Sequence, residues 1–266
     1  MIYKRNKNAV KSRIWQIRAV YRSKEKAMNN IKNVLSIDMD YIMGPCIELY
    51  NSIIGQDPYD RYSPEDFWAK LNEFLNIEQF LTYDEEKLLF LIKIFSKALS
   101  IVPAENILFA TEHDMILNLL CGSERNAGET FEIYNLDHHH DIYYGVRQKE
   151  EAERFSFASP ANWVYYLGSN RKIEEYHWLR NKNSAEFPFE EQKELYFPVS
   201  LDTSSTEIEK VSFDYIFVCM SKKYYPPKFQ QYFDMLVLIA EGVKGVAFDV
   251  CSTAYCCDGK SRMPAK

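Results

Sequence analysis

Asp137, His138, His139, His140 and Asp141 stand at the end of a run, Tyr134-Asn135-Leu136, that reads as a buried strand. Side chains alternate along an extended chain, so Asp137, His139 and Asp141 project to one side and His138 and His140 to the other. One face then carries oxygen, nitrogen and oxygen donors. Gathered in one pocket, two carboxylates and an imidazole would repel or titrate one another unless a cation neutralised them. A solvated histidine tract is the plain alternative, but such tracts rarely continue an apolar strand pattern.

Two further stretches end in the same way. The run from Asn33 to Ile42 carries Asp38 and Asp40, two apart and hence on one face. The run from Asn106 to Thr111 leads straight into Glu112, His113 and Asp114. Taken alone, each has a structural reading, since an Asp pair can cap a turn and a lone His can cap a helix. Three strand ends of one kind point together to metal, because the sites of an open parallel sheet form where the carboxyl ends of its strands converge.

The elements that must position these residues alternate between strand and helix. Ser63, Pro64, Glu65 and Asp66 form a helix start, with a Ser cap and Pro in the first turn, leading to a helix ending near Phe74. Leu88, Leu91, Ile92, Phe95 and Leu99 predict a helix beginning near Asp84 and ended by Pro103. A short apolar helix follows from Met115 to Leu120, and another opens at Pro160-Ala161-Asn162-Trp163. Strands are expected over Lys172 to Arg180 and Phe213 to Met220. Residues 148–154 are polar, and 181–209 read as loop or sheet edge. A helix from Pro226 runs to Glu241, with Gly242 as its stop. This order predicts an α/β fold, three layers α/β/α around a mostly parallel sheet. No phosphate-binding glycine loop is present among the nine glycines.

Composition narrows the function classes. The 266 residues, 47% of them hydrophobic, suit a single domain with a sizeable core. No apolar run is long enough to span a membrane, as Lys93, Lys97 and Glu241 interrupt the best ones. The six cysteines lack framework spacing, which fits a reducing cytoplasm; the adjacent Cys256 and Cys257 have no CxxC partner. The formal charge of −6 conceals a basic arm, residues 1–30, with nine Lys or Arg and one Glu. The remaining body is acidic, which favours a cationic substrate and disfavours nucleic acid. Docking of the arm on that acidic surface is the expectation.

On these motifs the chain resembles the arginases and their ureohydrolase relatives. The wider pattern of IDMDYI, TEHD, LDHHHD, ANWVYYL and CMSKKYYPP is similar to the peptide arginases, a branch that converts arginine side chains of ribosomally made peptides to ornithine. The resemblance spans roughly Asn33 to Lys228. Arginases place the DxD strand after the other two motifs, whereas here it comes first; Asp249 lies where that order would put it. A sheet site is indifferent to chain order, so an arginase-like fold with rearranged strands is implied.

The resemblance implies two Mn(II) ions, with Asp38 and Asp137 bridging, His113 and Asp141 on one ion, and His139 and Asp40 on the other. Hard oxygen donors with imidazoles and no thiolate suit manganese. A guanidinium carbon is a poor electrophile, and a water shared by two ions becomes a strong nucleophile near neutral pH. Asp141 is then the expected proton relay, with His138 or His140 passing protons onward. Glu112, Asp114, Asp214 and Asp249 are candidates to meet the substrate guanidinium, Glu112 being catalytic in this reading. The implied partner is an arginine-containing precursor peptide, with no nucleic acid or membrane; a homo-oligomer is allowed. Aromatic segments 162–166 and 224–227 are expected to pack on that peptide.

Two readings of other classes compete. DMDYI approaches the signature of haloacid-dehalogenase-like phosphatases, with Asp38 as nucleophile, Asp40 as general acid and Mg(II) as cofactor, although Ile42 departs from it. A metal-stabilised protein-binding module without catalysis is the other. Neither phosphatase chemistry nor structure alone explains the histidine-rich turn, since structural sites favour closed thiolate and imidazole zinc.

Overall fold

In the computed structural model, residues 30–44, 63–76, 79–122, 126, 128–144, 146–155, 157–181, 184, 195–201, 203–222 and 224–252 are described. The basic arm up to residue 29 and Cys256-Cys257 lie outside them.

Seven strands form one sheet: β1 (Ile31–Asp38), β2 (Ile107–Ala110), β3 (Thr130–Asp137), β4 (Ile173–Arg180), β5 (Val199–Ser200), β6 (Tyr215–Cys219) and β7 (Val250–Cys251). Their spatial order is β5-β4-β3-β1-β6-β2-β7, and every pairing is parallel. Parallel neighbours need crossovers, and among the described residues the helices are α1 (Pro64–Leu75), α2 (Glu85–Leu99), α3 (Ile116–Leu120), α4 (Val146–Phe155), α5 (Trp163–Ser169), α6 (Ser205–Ile208) and α7 (Gln230–Lys244).

The helices bury both faces of the sheet. Leu35, Ile37, Phe109, Leu136 and Val218 pack on one face against α1, α2 and α7, through Trp68, Leu91, Phe95, Phe233 and Leu236. Val34, Phe131, Ile133, Phe217 and Cys219 line the other, under Ile116, Ala152, Trp163 and Leu167 of α3, α4 and α5. The fold is therefore a three-layer α/β/α sandwich. Helix α2 shows why the local sequence obeys: Asp84 caps it, its side chain accepting from Lys87 N, and Leu88, Leu91, Ile94, Phe95, Ala98 and Leu99 fall on one buried stripe. Each large apolar side chain so buried contributes about 1.5–3 kcal/mol.

One stretch read only as polar proves helical, and one helix end needs correction. Residues 146–155 form α4 although they are almost wholly polar, because the helix buries only Ala152 deeply and leaves its charges in water, with Arg147 and Glu151 paired one turn apart. Helix α7 begins at Gln230 after a short 3-10 turn and passes through Gly242; the stop is Gly245, whose φ of 68° suits a residue without Cβ.

Strand β1 lies at the centre. From it the chain moves one way to β2 and then back the other way to β3, so the β1/β3 crevice is the place where successive crossovers diverge. In register, Ile37 lies beside Leu136 and Asp38 beside Cys219, which brings the ends of β3, β1 and β6 to one level.

Candidate metal centre

Asp38 closes β1, Asp137 closes β3, and His113 opens the 3-10 turn three residues beyond the end of β2. Strand β3 stops at Asp137, so simple alternation does not govern the residues after it. A turn gathers them instead, and Asp141 takes a left-handed backbone conformation with φ 51°. Ser221, just past β6 and touching Asp38, does the same with φ 41°. Such conformations cost about 1–2 kcal/mol for a residue with a Cβ, and they concentrate where function over-determines the backbone.

The donors fall into two sets that share Asp137. His113 Nδ1 lies 2.8 Å from Asp141 Oδ2, 3.1 Å from Asp137 Oδ2 and 3.5 Å from Asp38 Oδ2. His139 Nδ1 lies 2.8 Å from Asp40 Oδ2 and 3.9 Å from Asp137 Oδ1. All four aspartates are buried, at 5% exposure or less. His113 Nδ1 and Asp40 Oδ2 are buried without an aligned hydrogen bond, despite these short contacts. Buried donors that crowd one point in this way could hold a cation.

The surroundings hold the donors in place. His113 Nε2 meets Ser36 Oγ at 2.8 Å; with the hydroxyl accepting, the bare lone pair sits on Nδ1, facing the carboxylates. The ring lies against Phe217, 5.5 Å between centroids at 15°, and against Trp163. Trp163 Nε1 donates to Asp141 Oδ2 at 2.8 Å, and Ser221 Oγ donates to Asp38 Oδ2. Asn135 Nδ2 donates to Asp137 Oδ2 at 3.0 Å, and the backbone N–H groups of His138 and His139 reach Asp40 and Asp137. Ser36 and Asn135 carry no motif that would single them out beforehand, and Trp163 and Ser221, though within the ANWVYYL and CMSKKYYPP stretches, have no expected part in holding ligands; Cys219, which lies with Asp38 and His113, reads from sequence as a strand hydrophobe.

The electrostatics report a deficit of positive charge. Burial, then the charge of Asp141, pushes Asp137 up to about 7. Burial also raises Asp40, with Asp137 adding to it. For His139, burial opposes protonation but Asp40 and Asp137 outweigh it, raising the ring to about 9. His113 moves well upward as well, burial being overcome by Cys219 and the neighbouring aspartates. Without metal, the imidazoles and the shared acid proton are the cations available to this pocket. Four carboxylates with neutral imidazoles carry −4, which two divalent ions would cancel.

His138 and His140 stay outside the donor sets. Burial, followed by the neighbouring His139, lowers each to about 3. They are buried, not turned to solvent; His140 Nδ1 accepts from Ile142 N, and its ring stacks on Tyr144 at 4.2 Å. Among the guanidinium candidates, Asp214 is at the wrong end of the sheet, bound to Asn33 N and paired with Lys32. Asp249 is exposed beside the edge strand β7. Asp114 is buried next to His113, and Glu112 is half-buried at the carboxyl end of β2, outside the donor sets. The aromatic expectation is corrected in part: Trp163, Tyr165, Tyr166 and Tyr225 belong to the core. Tyr224 and Tyr144 do reach the rim, around His139, the donor with 20% of its side chain exposed.

Searches against protein-family models, curated proteins and solved structures find no match to this chain. The buried Asp and His clusters could bind metal by their own geometry. No helix among the described residues is long and apolar enough to cross a membrane.

Proposed function

We propose that the chain is a manganese-dependent hydrolase that removes urea from an arginine side chain within a peptide, leaving ornithine. The observation that carries this reading is the pair of donor sets sharing Asp137, His113 with Asp141 on one side and Asp40 with His139 on the other, with Asp38 beside His113. Two divalent ions would fit the donor type and the charge, with Asp38, His113, Asp137 and Asp141 to hold one and Asp40, Asp137 and His139 to hold the other. When bound, such a pair supplies a water of lowered pKa as nucleophile at neutral pH.

The residues of the chain do the rest. Asp141, fixed by Trp163 Nε1, is placed to take a proton through its carboxylate and return it to the departing amine. His140, neutral and tied to Ile142 N, holds the turn that presents Asp141. Glu112, half-buried at the carboxyl end of β2, is the carboxylate we assign to meet the guanidinium. Tyr144 and Tyr224 flank the mouth at His139, where an extended peptide can lie on aromatic surface.

The test is urea release by the manganese-loaded chain from a peptide with an internal arginine, with mass spectrometry for ornithine. Activity should vanish in Asp137→Ala together with bound metal. Phosphate-ester hydrolysis with Mg(II) and no urea would favour the phosphatase reading; metal without turnover of either substrate would favour the binding module.

A further inference from the structure

A second cluster lies on the opposite face of the sheet, towards the amino end of β3 and β4. Glu132 and Glu175 are register partners across β3 and β4, and Tyr134 and His177 are the next pair along on that face. Like charges directly opposite on neighbouring strands repel, and Glu132 is 2% exposed. The His177 ring lies beside this pair.

His177 Nε2 points into the gap, 3.3 Å from Glu132 Oε1 and 3.7 Å from Glu175 Oε1. That nitrogen is buried and makes no hydrogen bond, in a residue 6% exposed. Its distances exceed the usual N–H···O range of about 2.7–3.2 Å. The shorter one matches the edge of a tetrahedron, since two donors each about 2.0–2.1 Å from zinc lie about 3.3–3.4 Å apart, and the longer one exceeds it by about 0.3 Å. The other ring nitrogen, Nδ1, meets Thr203 Oγ1 at 2.9 Å, and the ring stacks on Tyr134 at 4.3 Å and 5°. With Thr203 accepting, the Nε2 lone pair faces the two carboxylates in a fixed orientation. Tyr134 OH donates to Glu132 Oε1, steadying the second donor.

We infer that Glu132, Glu175 and His177 form a separate mononuclear site for one zinc-type divalent ion. It shares no residue with the aspartate centre. Three protein donors leave the fourth position to water, which reaches the cluster through Glu175, the most exposed of the three at 21%. His177 pairs with Ser200 of β5, so the ion clamps β3 and β4 beside the short edge strand.

The experiment is equilibrium dialysis against Zn(II) on the full chain and on Glu175→Gln, His177→Gln and Asp137→Ala, each checked for folding by circular dichroism. Asp137→Ala should retain one zinc with an oxygen and nitrogen shell by X-ray absorption. Glu175→Gln should lose one equivalent relative to the unaltered chain, or bind it more than tenfold more weakly, while urea release persists. The amide preserves shape at a partly exposed position, so this variant decides the matter even where His177→Gln fails to fold. Zinc binding unchanged in Glu175→Gln, or abolished altogether in Asp137→Ala, overturns the inference. Failure of the arginase reading shows separately, as absent urea release in the unaltered chain.

Discussion

Ser36 Oγ meets His113 Nε2 from inside strand β1, and with that hydroxyl accepting, the neutral ring turns its bare nitrogen to the carboxylates. Removing it lets the ring tautomerise and tilt, so Ser36→Ala should weaken manganese binding about 10–100-fold, measured by competition with a chelating dye. Trp163 offers a different separation. Its indole N–H reaches Asp141 Oδ2, and a hydrogen bond to a charged group is worth about 1.5–3 kcal/mol. Trp163→Phe should therefore keep both metals while kcat falls roughly 10–100-fold; unchanged kcat would remove Asp141 from the proton path. The aspartates and histidines were legible because their residue types and strand-end spacing have a chemical meaning of their own. Ser36, Ser221 and Trp163 were not, since a serine or tryptophan acquires this role only from what the fold sets against it. Glu132, Glu175 and His177 were hidden for the same reason, meeting across two strands that lie about forty residues apart in sequence.

At the scale of elements, the strand ends were legible and the turns after them were not. Alternation would put Asp137, His139 and Asp141 on one face, but beyond Asp137 the chain is a turn with Asp141 at φ 51°, a conformation no periodicity encodes, and His139 and Asp141 fall in different donor sets. Helix α4 escaped because its stretch lacks an apolar stripe, whereas α2, with six buried positions on one face, did not. The end of α7 separates two glycines that look alike in sequence. Gly242 lies within the helix and a Cβ there would meet nothing within 4 Å, so Gly242→Ala should stabilise by about 0.5–1 kcal/mol. Gly245 has equal space but φ 68°, and Gly245→Ala should cost about 1 kcal/mol. Opposite shifts in denaturant midpoint at unchanged m-value are the result to look for. Ser221 carries the same strain at the metal centre, so Ser221→Gly should relieve backbone cost while losing the hydroxyl on Asp38. Its expected signature is weaker metal binding without loss of apo stability, a split that Ser221→Ala would not show.

At the scale of the whole molecule, the sheet brings four buried carboxylates to the crevice beside β1, at a cost that their hydrogen bonds and the two neighbouring imidazoles offset only in part when no other cation is present. Each buried ion without a partner is worth several kcal/mol of destabilisation, and Asp137 and Asp40 are both raised by their burial and by neighbouring carboxylate charge. Ions that bind the folded chain and not the unfolded one stabilise by mass action, about 4 kcal/mol for one site at a thousandfold excess over Kd. For a chain of this length, each kcal/mol moves the melting temperature by about 2–4 °C, so manganese loading should raise it by more than about 10 °C. Chelation should reverse the rise. In Asp137→Ala the manganese-dependent part should disappear, while apo stability should equal or exceed that of the unaltered chain, because one buried carboxylate has gone. Differential scanning calorimetry with and without chelator measures all four states. A melting temperature indifferent to manganese in the unaltered chain would mean that the aspartates are neutralised from within, by protonated His113 and His139, and that the crevice is a buried ion-pair network with no metal to lose.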